Sequence, residues 1–244
     1  MQTMNTVCVA TYNGEQYIEA QLRSILMQIA PDDEVIVSDD GSTDRTLERV
    51  ARLQDPRIRI IHSKAKSCKH NFIYALKHAV GEIIFLSDQD DVWLPNKYQR
   101  CLEELQTADL VCTNSRLVNE QLETINPDFF SIYRSGPGIL KNVINNTYYG
   151  SCMAFKKHIL AAALPMPTTP EIGHDVWLGL VAEVVGNVRF IPEALLLYRR
   201  HEHTYTKTSG LLTRSNRPLY KKIANRWIML YHIIMFYIKK KILR

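Results

Sequence analysis

Five short apolar runs punctuate the first 115 residues, and each breaks off at polar positions. "NTVCVATYNG" is rich in β-branched residues and ends at Asn-Gly, the pattern of a buried strand entering a turn. "DEVIVSDDGSTD" repeats it, with apolar Val35 to Val37 followed by a polar loop opening at Asp39. "RIRIIHS", "GEIIFLSD" and "ADLVCTNS" predict a third, fourth and fifth strand. Between the runs, apolar residues recur at helical spacing. Ile18, Leu22, Ile25 and Leu26 predict a helix from Glu15, Leu47 and Val50 one capped by Ser42 or Thr43, and Asn71 to Val80 a third. Strands alternating with helices imply βαβ units, hence an α/β fold with a mostly parallel central sheet.

In such open sheets ligands bind at the carboxyl ends of the strands. Thr11, Asp39 and Asp88 each follow an apolar run immediately, so three strands deliver polar groups to one rim. The second half is less regular. "INPDFFSIYRSGPGI" reads as a loop, "YYGSCMAFKKHIL" as a strand leading into a helix, "EIGHDVWLGLVAEVVG" as an amphipathic helix and "VRFIPEALLLYRRH" as a strand with an extension. No internal repeat or low-complexity linker divides the first 200 residues.

The bulk numbers narrow the class. With 244 residues and 46% hydrophobic composition the chain can bury one substantial core. Its five cysteines are odd in number and lack CxxC spacing, which suggests neither a disulfide framework nor a zinc site and fits a reducing, cytosolic compartment. "MQTMNTVCVATYNG" lacks a basic stretch followed by a long apolar one, so a secretory signal is not expected. The net charge of +5 is unevenly spread: ten Lys and Arg and no acid lie from Lys207 onward, leaving about −5 for residues 1–206.

Chemistry concentrates in "LSDQDDVW". Asp88, Asp90 and Asp91 repel one another unless a cation or hydrogen-bond donors compensate. A D-x-D pair at a strand end suits Mg²⁺ or Mn²⁺; a solvated turn capping a helix through Asp91 is the plainer alternative. "SDDGSTD" sets Asp39 and Asp40 beside a tight turn, as needed to hold a nucleotide's ring N–H or ribose hydroxyls, or simply to cap a helix.

Together these stretches resemble the family-two inverting glycosyltransferases of GT-A fold, in particular the bacterial polysaccharide and O-antigen, rhamnosyltransferase-like branch. The pieces are "VATYNG" at 9–14, "VSDDGSTD" at 37–44, "LSDQDDVW" at 86–93, "GSCMAFKK" at 150–157, "GHDVWL" at 173–178 and "YRRH" at 198–201. The resemblance implies a nucleotide-sugar site using Thr11, Tyr12, Asn13, Asp39, Asp40 and Asp88, with Thr11 and Tyr12 at the base, Asp39 at its edge and Asp88 on ribose. Asp90 would ligate a divalent cation, Mn²⁺ or Mg²⁺, bridging the diphosphate, and His201 would be a further ligand or diphosphate contact. Arg199 or Arg200 would meet phosphate oxygens. Asp175 would be the base that takes the acceptor's proton, although a helix-capping role is the plainer one. His174 stands where an acid is commoner, and its role is open. Trp93 and Trp177 are expected to pack, and "GSCMAF" to shape the acceptor pocket.

These readings divide the chain into a transferase domain at 1–206, nucleotide-binding over 1–115 and acceptor-binding over 116–206, and a basic amphipathic helical tail at 207–244. The tail's apolar run from Trp227 to Ile238 is too short to span a bilayer, which needs about 20 residues. It suits an anionic membrane surface better than nucleic acid, or else packs on the protein's own core or on a second copy. The expected activity is metal-dependent transfer from a UDP- or dTDP-sugar to a surface glycan. The acceptor is expected to be polyprenyl-diphosphate-linked, at the inner face of the cell membrane. A nucleotidyltransferase, or a non-catalytic nucleotide-sugar-binding partner, is the alternative.

Overall fold

The computed structural model describes residues 3–201 and 218–242. Four parallel strands form one side of the sheet, in the order β3 (Ile58–His62), β2 (Glu34–Asp39), β1 (Thr6–Thr11), β4 (Ile83–Asp88). They are parallel because helices return the chain between them: α1 (Ile18–Leu26), α2 (Thr46–Ala51) and α3 (Cys68–His78). Alternate residues of each strand feed opposite faces. Cys8, Ile36, Ile84 and Leu86 join one core, and Val7, Val9, Val35, Val37 and Phe85 the other. Apolar runs with no polar alternation are thus what a strand covered on both sides requires. Each such side chain contributes roughly 1.5–3 kcal/mol on full burial.

Beyond β4 the sheet is mixed. The antiparallel β8 (Met153–Lys156) lies between β4 and β6 (Leu110–Val118), and β9 (Val188–Arg199) runs parallel to β6. The two-residue β5 (Val92–Trp93) and β7 (Thr124–Asn126) complete nine strands among the described residues. The fifth predicted strand, β6, is therefore not the neighbour of the fourth. Met153, Ala154 and Phe155 are fully buried, so β8 serves both cores and takes the central place. Strands of both halves of the chain share this one sheet.

Several element assignments are revised. α2 starts at Thr46 rather than at Ser42 or Thr43; Asp44 accepts the Thr46 N–H, at 2.9 Å, and its hydroxyl. The stretch read as a loop contains α5 (Phe129–Tyr133), whose first turn is capped by Asp128. Helix α8 (His174–Val185) is not amphipathic: His174 and every residue from Val176 to Ala182 are buried. It is enclosed by the sheet, by α7 (Lys157–Ala163) and by the C-terminal helix α9 (Leu219–Ile242). Trp177 meets His232 and Phe236 of α9 edge-on, at ring distances of 6.4 and 5.8 Å. The described part of the tail, α9, therefore packs on the protein's own core, and among the described residues no helix is long and apolar enough to cross a membrane. Residues 207–217 of the expected tail, with Lys207, Arg214 and Arg217, lie outside the described residues, as does Arg244.

Candidate active site

Parallel pairing aligns the ends of three strands. Thr11 sits opposite Asp39 and Ala10 opposite Asp88, so the polar residues that terminate β1, β2 and β4 stand side by side. The loops that follow are laced together. Asn13, held at φ 48°, accepts the Thr43 N–H and donates its own N–H to the Ser42 hydroxyl. Gly14 N–H donates to Thr46 Oγ1 at 2.7 Å and Glu15 N–H to Asp44 at 3.0 Å. Gln89 joins the third loop: its amide takes the Tyr12 N–H at 2.9 Å and donates to the Tyr12 carbonyl at 3.0 Å. Any side chain at residue 14 would collide with this clip, since a Cβ there would lie 2.6 Å from Gln89 Cδ. The result leaves Tyr12 57% exposed above the rim, its ring open to stacking on a flat ligand.

The two second-loop aspartates are more heavily engaged than a ligand-binding role suggests. Asp39 is buried, and its oxygens accept the hydroxyls of Thr11 and Ser42 and the N–H groups of Gly41 and Ser42. A base edge would have to displace one of these. Asp40 accepts the N–H groups of Lys66 and Ser67, at 3.0 and 2.8 Å, and so anchors the loop that leads into α3.

Around β4 the negative charge is concentrated. Burial, and then the neighbouring Asp90 and Asp175 carboxylates, push the Asp88 carboxyl up to about 7. Asp91 is buried and also pushed well above the usual carboxylate range, by burial and by Asp90 and Asp88. One of its oxygens accepts the Arg199 N–H at 2.9 Å and the other has no partner. It is therefore neither a solvated cap nor a surface ligand. Beneath the cluster lies Lys97, fully buried, its ammonium donating to the Ser151 carbonyl while the Ser151 hydroxyl accepts the Asp88 N–H at 2.8 Å. Burial holds the Lys97 amine below its ordinary range. Nothing in the spacing of "LPNKY" singles Lys97 out.

The end of β9 closes the site. His201 Nε2 lies 2.9 Å from Asp90 Oδ2, and its ring packs on Tyr17 at 4.7 Å. An imidazole nitrogen and a carboxylate oxygen this close can ligate one divalent ion. Among the described residues no group of three or more His, Cys, Asp or Glu could hold a metal, so the remaining ligands would come from substrate or water. Arg199, expected to meet phosphate oxygens, is engaged within the protein. Its guanidinium donates to the carbonyls of Asp90 and Glu120 and lies 4.8 Å above the Tyr17 ring, and the residue is only 6% exposed. It braces the Asp90 loop.

On the opposite side α8 presents Asp175 in its first turn, with Oδ1 accepting the Val176 N–H at 2.8 Å. His174 stacks on Phe72 at 4.3 Å; burial holds its imidazole below the usual range, and Nε2 has no partner. Gly150, of the "GSCMAF" stretch, lies directly against this pair, its Cβ position 3.4 Å from His174 Nε2. The Cys68 thiol sits among Asp88, Asp175, Asp90 and Asp40, and burial and these charges raise it far above a reactive range. No cysteine spacing signals that position. Trp93 and Trp177 are buried, as packing residues should be.

Comparison with known proteins agrees with this architecture. The model of glycosyl transferase family 2 matches residues 6–163. An uncharacterized glycosyltransferase of Nostoc is 28% identical over 80% of this chain and 64% of its own length. The β-1,3-glucosyltransferase of Escherichia coli that uses UDP-Glc and α-D-GlcNAc-diphosphoundecaprenol is 32% identical over 50% of this chain and 46% of its own length. A dTDP-rhamnosyl transferase of Shigella flexneri is 35% identical over 45% and 41%. The chain thus spans about two thirds or less of these three relatives. Among solved structures, the 1–349 fragment of Staphylococcus aureus TarS with UDP-GlcNAc superposes with a TM-score of 0.72 at 18% identity, over 96% of this chain and 70% of that one. A Pyrobaculum calidifontis mannosyltransferase with GDP-Man and Mn²⁺ gives 0.65 at 23% identity, over 84% and 59%. With its family model matched over more than half its length, the chain belongs to glycosyl transferase family 2.

Proposed function

We propose that the protein transfers a sugar, with inversion, from a UDP- or dTDP-sugar to a hydroxyl of a growing surface polysaccharide. The observation that carries this reading is the convergence at one rim of Asp88, the Asp90–His201 pair and Asp175, whose charges act on one another. In this reading the exposed Tyr12 ring and Thr11 line the base, and Asp39 takes the base edge in exchange for its Ser42 bond. Asp88 meets ribose. Asp90 and His201 would hold a divalent cation, which would neutralise charge on the diphosphate leaving group. Asp175 accepts the acceptor hydroxyl's proton as the new C–O bond forms at the anomeric carbon and the bond to the diphosphate breaks. Asn13 and Asp40 hold the loops that shape the pocket.

The donor range draws support from a relative that is a dTDP-rhamnosyl transferase and a neighbour holding UDP-GlcNAc. A polyprenyl-diphosphate-linked acceptor draws support from the E. coli glucosyltransferase, whose acceptor is an undecaprenol diphosphate. Such an acceptor puts the protein peripherally at the cytoplasmic face of the membrane, as part of O-antigen or related polysaccharide synthesis. The test separates binding from chemistry. Asp175→Asn should keep nucleotide-sugar binding while transfer falls about 10²–10⁴-fold, whereas Asp90→Asn should weaken metal-dependent binding of the diphosphate. Normal turnover by both variants would overturn the assignment of the site.

A further inference from the structure

The apolar run of the C-terminal helix is continuous in sequence, yet helical geometry splits it into two opposed stripes. Met229, Ile233 and Phe236 form the inward one: Ile233 is 3% exposed, and Phe236 meets Trp177. Arg226 fastens the same side by donating to the Ile144 carbonyl at 2.8 Å. The outward stripe is Tyr220, Ile223, Trp227, Tyr231, Ile234 and Ile238, at spacings of three and four, each 44–67% exposed. A helix that needed only to cap the core would be polar on this face. Lys221, Lys222 and Lys239 to Lys241 lie near the two ends of the stripe, and no acid occurs between Leu219 and Ile242.

We propose that this outward stripe of α9 is a docking surface for an anionic lipid bilayer, on which the helix lies flat with its aromatic rings at headgroup depth. The occupant follows from charge and shape together. Basic residues near both ends of an aromatic and aliphatic stripe match an anionic surface with an apolar layer beneath it. A second copy of this chain would bring two all-basic helices face to face, and like charges oppose that. Because the inward stripe grips Trp177, two residues beyond Asp175, the lipid-facing helix is fastened to the helix that carries the proposed base. The inference deepens the transferase reading, on which it rests for the lipid-linked acceptor alone.

The protein carries its own probe. Of its three tryptophans, Trp93 and Trp177 are 3% and 4% exposed, and Trp227 is 67% exposed, so a change in emission on adding vesicles reports Trp227. The 244-residue chain would be titrated with vesicles of phosphatidylcholine alone and of phosphatidylcholine mixed with phosphatidylglycerol, and with brominated lipids as depth-resolved quenchers. Emission should shift to the blue with the anionic vesicles, and quenching should be strongest from bromines near the headgroups. Replacing Lys239, Lys240 and Lys241 by Gln should weaken partitioning about a hundredfold, at about one kcal/mol per charge. Circular dichroism would check that the variant stays folded. Three results would overturn the proposal: an unchanged Trp227 spectrum with anionic vesicles, quenching strongest at the bilayer centre, or a blue shift that follows protein concentration without lipid, which would mean self-association. Nucleotide binding measured on the same sample keeps the readings apart. Protein that binds nucleotide and ignores vesicles contradicts the lipid surface alone; protein that binds vesicles and no nucleotide contradicts the donor site alone.

Discussion

Replacing Gly179 by Ala pits helix propensity against packing, and the structure decides the sign. Gly179 lies mid-way along the buried helix α8, where a Cβ would stand 2.5 Å from Cδ1 of Tyr148 and closer still to Cγ and Cδ2. The ring cannot easily retreat. Tyr148 is fully buried, and its hydroxyl donates at 2.6 Å to Glu183, one turn further along the same helix. Overpacking costs about 1–3 kcal/mol, and a ring fixed at both ends belongs near the upper figure. Against that, Ala gains about 1 kcal/mol over Gly in a helix. The net is a loss of about 2 kcal/mol, or about 4–8 °C in Tm for a domain of this size. Urea and thermal unfolding of Gly179→Ala would measure it. Removing the ring by Tyr148→Ala should turn the same substitution stabilising, a coupling of about 3 kcal/mol between neighbours. If Gly179→Ala raised stability in the unmodified background, the packing of Tyr148 on α8 described above would be refuted.

Other outcomes follow from the loops and from His174. Gln89→Ala removes both hydrogen bonds to the Tyr12 backbone, at about 0.5–1.5 kcal/mol each, and should weaken donor-nucleotide binding by about tenfold; an unchanged Kd would show that the loop lacing alone holds Tyr12. The His174 imidazole is held below its usual 6.5 by burial, so the unfolded chain takes up its proton first as pH falls. Its contribution is present above about pH 6.5 and is lost below it, with a slope of up to about 1.4 kcal/mol per pH unit until the folded-state pKa is reached. His174→Phe, which keeps a ring against Phe72, should flatten that part of the stability profile between about pH 7 and pH 5 in urea titrations; coincident profiles would mean that His174 does not titrate differently on folding.

Much of the first half of the chain was legible because its signals are local. A strand covered on both faces must be apolar throughout, so the runs ending at Thr11, Asp39 and Asp88 marked themselves, and parallel pairing then brought their ends together. What was not legible depends on distant partners. The insertion of β8 beside β4 turns on which strand can serve two cores at once. Arg199 looks like a phosphate ligand by type, and only the carbonyls of Asp90 and Glu120 make it a brace. Ser42 looks like a helix cap, yet its hydroxyl serves Asp39 and Asn13 because the loops meet. Lys97 and Cys68 entered the site with no motif, carried there by the register of α4 (Lys97–Glu104) and the start of α3. The apolar face of α8 is complete all round because α9 covers it from more than forty residues downstream.

The central claim is that the rim formed by Asp88, Asp90 and His201 binds a nucleoside diphosphate together with a divalent cation. Calorimetric titration of the protein with UDP, dTDP, GDP and CDP, each with and without Mn²⁺, tests it most directly. Binding of UDP or dTDP should be strengthened by Mn²⁺ at least about tenfold, which is about 1.4 kcal/mol, and Asp90→Asn should make it indifferent to the metal. Folded protein that binds none of the four nucleotides, or binds them equally well without metal, would contradict it.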